Sequence, residues 1–232
     1  MSKLVVEELS VSLEGKRVLE GISFEVDTVD IVGIVGANGA GKTTLLNAVA
    51  GLIQTTTGKI SLDGVDVSQL GPEERIRRSL GYVPDGPGVF RSLTVRENLM
   101  VGGMVRGDED IEMVITLFPD LKNCLSMLAG SLSAYQRRQC AFGRALMSRP
   151  SLLMIDELSL GLSPISADAL ARTLPDIAAY QVGIILVEQD IDRTLSLVDR
   201  AYVIEGGSIV VDGSPGELLS QGSFVEKYLW GS

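Results

Sequence analysis

The chain has 232 residues, of which 45% are hydrophobic, so it can bury a substantial core as one large domain or as two lobes. Its formal net charge of -10 opposes the phosphate contacts on which nucleic-acid binding depends, which makes nucleic acid a poor candidate partner. No window approaches the roughly 18 consecutive apolar residues of a membrane span, and the opening residues lack the basic and apolar segments of a secretion signal. These observations predict a globular protein that stays in the cytoplasm.

The side chains available for proton transfer are limited, because the sequence contains no histidine. Any general base that acts near neutral pH must therefore be another group, and a carboxylate is the best candidate. The two cysteines, Cys124 and Cys140, lack the spacing of metal ligands. A chain of this size without a secretion signal rarely uses disulfides, so both are predicted to be free, buried thiols.

The first thirty residues show the two-residue alternation of half-buried strands. Apolar residues at 9, 11 and 13 alternate with serines, and apolar residues at 22, 24 and 26 repeat the pattern. Such alternation is typical of antiparallel strands with one buried face. The chain is therefore predicted to begin with a small antiparallel β layer.

Three later runs are apolar without polar alternation and cover residues 31–35, 152–155 and 183–187. Runs of this kind suit strands that are buried on both faces, as in a parallel sheet covered by helices. The second and third runs end in acidic or amide residues and are followed by helix-compatible segments. The pattern predicts an α/β fold with a mainly parallel sheet and flanking helices.

Helical periodicity dominates residues 88–150, which we interpret as an inserted helical lobe. Within it, five apolar residues are spaced for one helix face: Leu117, Phe118, Leu121, Leu125 and Leu128. The whole chain is predicted to form one domain over residues 1–232. Its core would comprise residues 1–87, including the β layer, and residues 151–232.

The C-terminal segment predicts a β-hairpin and a final helix. Apolar residues at 201–204 and 209–211 flank Glu-Gly-Gly-Ser, a turn signal. A helix is then predicted over residues 217–229. Repeats, linkers and low-complexity stretches are absent from the sequence.

Residues 36–43 read GANGAGKT and match the pattern G-x-x-x-x-G-K-[ST] of a phosphate-binding loop. Glycines let backbone N–H groups turn toward a phosphate, the helix N-terminus adds partial positive charge, Lys42 reaches the β- and γ-phosphates, and Thr43 can ligate Mg²⁺. An ordinary glycine-rich turn is the alternative, but the Lys-Thr pair, the preceding strand and the following helix all favour phosphate binding. The predicted nucleotide-binding residues are Asn38, Gly39, Ala40, Gly41, Lys42, Thr43 and Thr44.

Two adjacent carboxylates, Asp156 and Glu157, end the second buried run. The carboxyl edge of such a sheet is where α/β proteins bind ligands. Asp156 can hold Mg²⁺ through water, and Glu157 can polarise an attacking water. A solvated acidic strand end is the alternative, and the phosphate-binding loop makes it the weaker interpretation.

In this order the motifs resemble those of the ATPase subunits of ABC transporters, over nearly the whole chain. Residues 36–43 match Walker A, residues 82–85 resemble a Q-loop, residues 132–136 resemble the signature motif, and Walker B ends at Asp156 and Glu157. Within the family, the phrases GRALMSRP, SLGLSP and LVEQD and the ending EKYL look like the smaller of the paired ATPases of branched-chain amino acid uptake systems.

The resemblance implies a head-to-tail pair of ATPase subunits with ATP and Mg²⁺ at each shared site. One chain's Walker A would face the other chain's signature, which here comprises Ser133, Ala134, Tyr135 and Gln136. The metal would lie near Thr43, Asp85 and Asp156, and residues 159–163 would form the D-loop between the subunits.

The implied partners are a second ABC ATPase subunit, favoured to be a different chain, and two membrane-spanning permease subunits. The Q-loop would face these permeases. A periplasmic or extracellular solute-binding protein would act through the same complex. The implied location is the cytoplasmic face of the inner or plasma membrane.

The resemblance also gives roles near the γ-phosphate to Glu157, Gln189 and Asp85. Gln189 occupies the position where most ABC ATPases carry a switch histidine, and its amide can hydrogen-bond a phosphate but cannot titrate. Asp85 is at least one methylene shorter than the usual glutamine or glutamate. Leu13 stands where an aromatic ring normally stacks on adenine, which removes a contribution of about 1 to 3 kcal/mol.

The signature departs most from the family pattern, because Ala134 and Tyr135 replace two glycines where backbone must approach the partner's γ-phosphate. Either the added side chains weaken that site, or a slightly shifted backbone still presents Ser133 and its neighbouring N–H groups.

Four functions are compatible with the sequence. The leading one is an importer ATPase for hydrophobic amino acids or a similar small solute, and the second is the ATPase of another ABC system, such as lipid or lipopolysaccharide export. A third, a soluble ABC ATPase acting on DNA, ribosomes or Fe–S assembly, is opposed by the single cassette, the short lobe and the acidic charge. A fourth is a subunit that binds ATP but barely turns over, although Glu157 favours real hydrolysis.

Overall fold

The computed structural model describes residues 3–86, 88–224 and 227. Its strands are β1 (Leu4–Leu13), β2 (Lys16–Val26), β3 (Ile31–Val35), β4 (Thr57–Leu62), β5 (Val65–Asp66), β6 (Leu80–Val83), β7 (Leu152–Asp156), β8 (Gly183–Glu188), β9 (Arg200–Glu205) and β10 (Ser208–Gly213). Its helices are α1 (Lys42–Val49), α2 (Pro72–Arg77), α3 (Val95–Gly103), α4 (Glu112–Leu117), α5 (Ala134–Leu146), α6 (Pro164–Ala171), α7 (Leu174–Ala179), α8 (Ile191–Leu195), α9 (Pro215–Ser220) and α10 (Gly222–Phe224). None of the helices in these ranges is long and apolar enough to cross a membrane.

The predicted antiparallel β layer is confirmed as a sheet with strand order β2-β1-β4-β5. β1 pairs with both β2 and β4 in antiparallel register, for example Val6 with Phe24 and with Ile60. The apolar residues of the alternating pattern are buried, apart from Leu13 at the end of β1, which is 40% exposed. The layer therefore covers one side of the molecule with a single apolar face.

The second sheet has the order β10-β9-β3-β8-β7-β6 and is parallel from β9 to β6. The three predicted buried runs form its central strands β3, β8 and β7, and every residue in them is buried. Because these strands are parallel, the segments that follow β3, β6, β7 and β8 all emerge at the same edge. This edge collects the phosphate-binding loop, Asp85, Glu157 and Gln189.

The sheet separates two apolar clusters. On β3, Ile31 and Val35 belong to the cluster that includes the helical lobe, whereas Val32 and Ile34 belong to the cluster that includes the β layer and α1. β7 and β8 divide their residues between the clusters in the same alternating way. Burial on both faces explains why these strands show no polar alternation.

The helical lobe is built on the close packing of α3 against α5. A Cβ added at Gly102 would lie 2.0 Å from the carbonyl oxygen of Arg144, and one at Gly143 would lie 2.8 Å from Cδ2 of Leu99. Both thiols predicted to be buried belong to the lobe, and Cys124 and Cys140 are indeed free and buried. The division of the chain at residues 88 and 150 stays a prediction.

The prediction of one continuous helical face from Leu117 to Leu128 is wrong. α4 ends at Leu117, Phe118 has a non-helical backbone, and Pro119 begins a 3-10 segment that runs to Cys124. Proline lacks the N–H that a continuing α-helix needs at this point. Leu128 instead forms an isolated bridge with Thr94 and is 53% exposed.

The hairpin predicted at the C-terminal end is confirmed. Gly206 and Gly207 connect β9 to β10 with φ angles of 58° and 86°, as a two-residue turn of this kind requires. The helix predicted over residues 217–229 begins earlier, at Pro215, because Ser214 caps it with Glu217 as the reciprocal partner, and it ends at Ser220. Apart from Gln221, α10 and Lys227, the remainder of that predicted helix lies outside the described residues.

Candidate functional site

The phosphate-binding loop connects β3 to α1 and holds Lys42 in a folded-back position. Nζ of Lys42 donates hydrogen bonds to the carbonyl oxygens of Gly36 at 2.7 Å and Ala37 at 3.0 Å. Burial lowers the pKa of Lys42, and Glu157, Asp156 and Glu188 oppose that shift. The ammonium group is thus placed inside the loop and close to the carboxylates at the sheet edge.

Two strands press closely against this loop. A Cβ at Gly36 would lie 2.2 Å from the carbonyl oxygen of Ile204 on β9, and one at Gly41 would lie 2.6 Å from a methyl carbon of Leu19 on β2. Gly41 also has a φ of 106°, which an L-residue rarely adopts. These positions require glycine for packing as well as for the turn.

The other predicted nucleotide-binding residues line or follow the same loop. Asn38 and Gly39 are exposed and Ala40 is buried, while Thr43 is exposed and Thr44 half-buried in the first turn of α1. The first N–H groups of a helix have no partner within the helix, so this turn can bind an anion. Leu13 lies at the β1–β2 hairpin, whose Leu19 packs on Gly41.

Asp156 is fully buried at the end of β7. Its Oδ2 accepts a long hydrogen bond of 3.5 Å from the hydroxyl of Tyr82, and its Oδ1 has no hydrogen-bond partner in the described part of the chain. Burial raises the pKa of Asp156, the hydroxyl of Thr43 lowers it, and the nearby Asp85 raises it further. The three predicted metal-site residues therefore lie close to one another.

These residues fit Mg²⁺. Among the described residues no group of three or more His, Cys, Asp or Glu side chains can hold an ion. Mg²⁺ normally uses one or two protein oxygens together with water and substrate phosphates, so such a cage is not needed. The unpartnered Oδ1 of Asp156, beside the Thr43 hydroxyl, supplies that kind of incomplete ligand set.

Glu157 directly follows β7 in a left-handed backbone conformation with a φ of 50°. Its N–H donates to the carbonyl oxygen of Val187 at 2.9 Å, and its Oε1 accepts a 2.6 Å hydrogen bond from Nε2 of Gln189. A left-handed non-glycine residue costs about 1 to 3 kcal/mol and persists where its surroundings hold it. The side chain is only partly buried, so it can contact a substrate.

The strained turn at Glu157 is held from the signature helix by Arg138, a residue that the sequence analysis missed. Nη2 of Arg138 donates to the carbonyl oxygens of Asp156 at 2.7 Å and Glu157 at 2.8 Å. Nη1 donates to the carbonyl oxygens of Pro84 at 2.6 Å and Gly86 at 3.2 Å, which flank Asp85. α5 contains three arginines, Arg137, Arg138 and Arg144, and nothing in the sequence distinguishes Arg138 from the other two.

Glu188 was also missed, and it connects β8 to the predicted D-loop. It is buried, and its carboxylate accepts hydrogen bonds from the N–H of Ser159 at 3.1 Å and from its hydroxyl at 3.1 and 3.2 Å. Burial raises the pKa of Glu188, and the bonds from Ser159 oppose that shift. The residue just before Gln189 is thereby fixed to the first residue of the D-loop.

The signature-like residues form the start of α5. Ser133 is the N-cap: its hydroxyl accepts from the N–H of Gln136 at 3.2 Å, and Oε1 of Gln136 accepts from the N–H of Ser133 at 3.1 Å. Nε2 of Gln136 in turn donates to Sγ of Cys124 at 3.4 Å. The turn is therefore fixed by a capping box with a further contact in the lobe.

The two residues that replace glycines fit this turn without strain. Neither Ala134 nor Tyr135 has a positive φ, and both lie within the helix. Ala134 is exposed, whereas Tyr135 packs against the lobe cluster. Burial and the nearby Asp120 raise the pKa of the Tyr135 hydroxyl, and its hydrogen bond with Gln139 opposes that shift. The ring of Tyr135 therefore packs against the helical lobe.

The phosphate-binding loop and the signature turn line different grooves of the same chain. One groove is lined by residues 36–40, Gln189 and the β9–β10 hairpin. The other is lined by Ala134 and Arg138 of α5 together with Gly86 and the D-loop residues Leu160 and Gly161. The structure thus brings Lys42, Asp156 and Glu157 to one edge of the sheet. Ser133 lies away from that edge, at the start of α5.

A parallel sheet with a phosphate-binding loop and an acidic pair at its carboxyl edge defines a P-loop nucleotide hydrolase. Residues 19–159 match the family model described as "ABC transporter". Over 219 residues the chain is 39% identical to the high-affinity branched-chain amino acid transport ATP-binding protein BraG of Pseudomonas aeruginosa, covering 93% of this chain and 94% of that protein. The chain therefore belongs to the ABC transporter family and is an ATP-hydrolysing ATPase.

Other relatives widen the comparison. The lipopolysaccharide export system ATP-binding protein LptB of Haemophilus influenzae is 33% identical over 236 residues, covering 99% of this chain and 98% of that protein. A crystal structure of a nucleotide-free ATP-binding cassette from an ABC transporter superposes with a TM-score of 0.87 at 25% identity, covering 98% of this chain and 99% of that one. ABC ATPases work with membrane permease components, so the chain is one part of a transporter.

Proposed function

We propose that this chain is an ATPase subunit of an importer for branched-chain or similar hydrophobic amino acids. The observation that carries the proposal is the 39% identity to BraG across almost the full length of both chains. The phrases in residues 143–150, 159–164 and 186–190 support the same subgroup. Lipopolysaccharide export is the second candidate, favoured by the 33% identity to LptB over 99% of the chain.

The arrangement at the sheet edge supports a division of roles in hydrolysis. N–H groups from Asn38 to Thr44 and the ammonium of Lys42 bind the phosphates of ATP. Glu157 orients and polarises the attacking water, and Gln189 positions the carboxylate of Glu157. Leu13 offers an apolar contact to the base, without the stacking of an aromatic ring.

Mg²⁺, when bound, neutralises charge that develops on the β- and γ-phosphates. Thr43 would ligate it through its hydroxyl, and Asp156 would hold it through water. Asp85 lies on the segment after β6 and raises the pKa of Asp156 through its charge. We propose that it acts on the same ion or on the lytic water.

We propose a head-to-tail pair in which Ser133 and the free N–H groups of Ala134 and Tyr135 bind the partner's γ-phosphate, with Gln136 holding Ser133. The supporting observation is that the start of α5 lines one groove, and the phosphate-binding loop of the same chain lines another. A different ABC ATPase as the partner is favoured. The altered signature would then affect only one of the two sites.

In the assembled transporter we place this subunit on the cytoplasmic face of the membrane, with the segment around Asp85 facing two permease subunits. A periplasmic or extracellular solute-binding protein completes an importer of this kind. The net charge of -10 is consistent with our expectation that the chain does not bind nucleic acid.

The test is to purify the complex through a tag on this chain and to identify the chains that co-purify. The complex is then reconstituted in proteoliposomes, and leucine uptake is measured with the purified solute-binding protein, using glutamate as the matched polar solute. ATP-dependent leucine uptake supports the proposal. Co-purification of export components with no uptake of leucine, isoleucine or valine contradicts it and favours the second candidate.

A further inference from the structure

Arg138 occupies an unusual place for a buried charge. Its side chain is 3% exposed, and its hydrogen bonds in the described part of the chain all go to backbone carbonyl oxygens. The guanidinium also lies 5.7 Å above the ring of Phe142, one helical turn further along α5. Burying a guanidinium costs free energy that its hydrogen bonds must offset. The four bonds also restrain the segments that carry the accepting carbonyl groups.

The four carbonyl groups belong to two separate segments of the site. Two lie at the turn of Asp156 and Glu157, and the other two flank Asp85. The left-handed conformation of Glu157 brings its own carbonyl and that of Asp156 onto one side, so a single nitrogen of Arg138 reaches both. The planar guanidinium fork can span two segments in this way, and a lysine ammonium cannot.

We infer that Arg138 is a positioning residue that fixes Glu157 and the segment of Asp85 relative to the signature helix. The inference rests on the proposed role of Glu157 as the residue that polarises water. It assigns Arg138 no contact with ATP. Arg138 lies on α5 two residues after Gln136, so its hydrogen bonds connect the signature helix to the turn of Glu157.

A matched control exists in Arg75, which is equally buried and also bonds only backbone carbonyl groups. Its exposure is 2%, and it donates to the carbonyls of Ala48, Val49, Ser68 and Leu70, at the C-terminal end of α1 and in the loop before α2. Replacing either arginine by lysine removes the same kind of fork, but only Arg138 is bonded to the turn of Glu157.

The experiment compares Arg138→Lys with Arg75→Lys in the purified transporter complex, and measures ATP affinity, kcat, KM and thermal stability. Both variants are expected to lower Tm. Arg138→Lys is expected to lower kcat by about tenfold to a hundredfold and to change ATP affinity less than about threefold, since small misplacements of a reacting group have effects of this size. Arg75→Lys is expected to keep kcat within about threefold of the native value.

A double variant separates positioning from general loosening of the fold. In a Glu157→Gln background, Arg138→Lys should lower the residual kcat by less than about threefold, because the two changes affect the same function. If Arg138→Lys does not fold, Arg138→Met replaces it, since it removes the buried charge and keeps an unbranched chain.

The inference is overturned if the Arg138 variant keeps kcat within about threefold, if Arg75→Lys loses kcat equally, or if the losses in the double variant multiply. The proposed role of Glu157 fails separately, if Glu157→Gln alone leaves turnover near normal. A Glu157→Gln variant that is inactive beside an active Arg138 variant contradicts only the role of Arg138.

Discussion

The amide of Gln189 donates a 2.6 Å hydrogen bond to Oε1 of Glu157. The two residues follow neighbouring parallel strands, and their contact fixes the carboxylate that we propose as the group that polarises water. An amide does not titrate near neutral pH, so Gln189 stays neutral. A histidine at the same position would change its charge in that pH range.

Glu157→Gln is expected to bind ATP normally and to slow hydrolysis by about a hundredfold or more, because a neutral amide polarises water weakly. The glutamine oxygen can still accept from Gln189, so the local geometry is retained. ATP binding and single-turnover hydrolysis in the assembled complex measure the two effects. Near-normal turnover would remove Glu157 from the mechanism.

Lys42→Ala is expected to abolish productive nucleotide binding, because the phosphates lose their main cationic partner. The variant also frees the carbonyl groups of Gly36 and Ala37, which Lys42 bonds in this structure. Equilibrium ATP binding and turnover provide the measurement, with the surface variant Lys59→Ala on β4 as the control. Unchanged ATP affinity in Lys42→Ala contradicts the assignment of the loop.

The two nucleotide sites of the complex are expected to differ, with the site completed by this chain's signature hydrolysing more slowly. Ala134→Gly with Tyr135→Gly should raise its affinity or turnover, since each added charge-assisted hydrogen bond contributes about 1.5 to 3 kcal/mol. The helix would lose stability at the same time, because glycine in a helix costs about 1 kcal/mol relative to alanine.

Site-resolved ATP occupancy and single-turnover hydrolysis, with and without the glycine pair, test this asymmetry. Tyr135→Ala is the control, because it removes the ring that packs in the lobe and leaves the helical backbone preference intact. Equal behaviour of the two sites in the native complex, or no effect of the glycine pair, would show that the backbone has adapted to both residues.

Glu188→Gln is expected to gain thermal stability relative to the native chain as pH rises. Burial holds the pKa of Glu188 above its ordinary value of 4.5. A raised carboxyl pKa gives stability that is present below the unfolded pKa and is lost as pH rises through the folded pKa, and glutamine has no such loss. The difference in Tm between the two chains should therefore move in favour of the variant from about pH 4.5 upward.

Glu217→Gln provides a control of opposite sign. Hydrogen bonds from the N–H and hydroxyl of Ser214 lower the pKa of Glu217. Its contribution is present above the unfolded pKa and lost in acid, so this variant should be less stable than the native chain near neutral pH and converge with it in acid. A flat Tm difference for Glu188→Gln across the range would contradict the prediction.

The sequence was sufficient where a feature is local and failed where it depends on distant contacts. The loop at residues 36–43 carries its strand, glycines, lysine and helix in one contiguous segment, so its motif predicts its structure. Arg138 reaches carbonyl groups 18 and 54 residues away, and no spacing rule connects those positions. The roles of Leu13, Asp85 and the signature residues stay predictions.

The error in the helical lobe has an identifiable cause. Apolar spacing from Leu117 to Leu128 suggested one helix, but it ignored Pro119, whose ring and missing N–H end the α-helix there. The sequence also gives the size of Tyr135 without its direction, and the ring packs against the lobe cluster. The orientation of a side chain depends on packing between distant segments, and the sequence alone does not show that packing.

The parallel sheet that divides the core into two apolar clusters has a consequence for local opening. Amide hydrogens of the β layer and those of the lobe are protected by different sets of buried side chains, and they share only the central strands. We expect two cooperative opening units in native-state hydrogen exchange, with β3, β7 and β8 exchanging last because both units must open to expose them. Leu9→Ala, in the cluster of the β layer, should speed exchange there and leave exchange around Phe142 of the lobe unchanged.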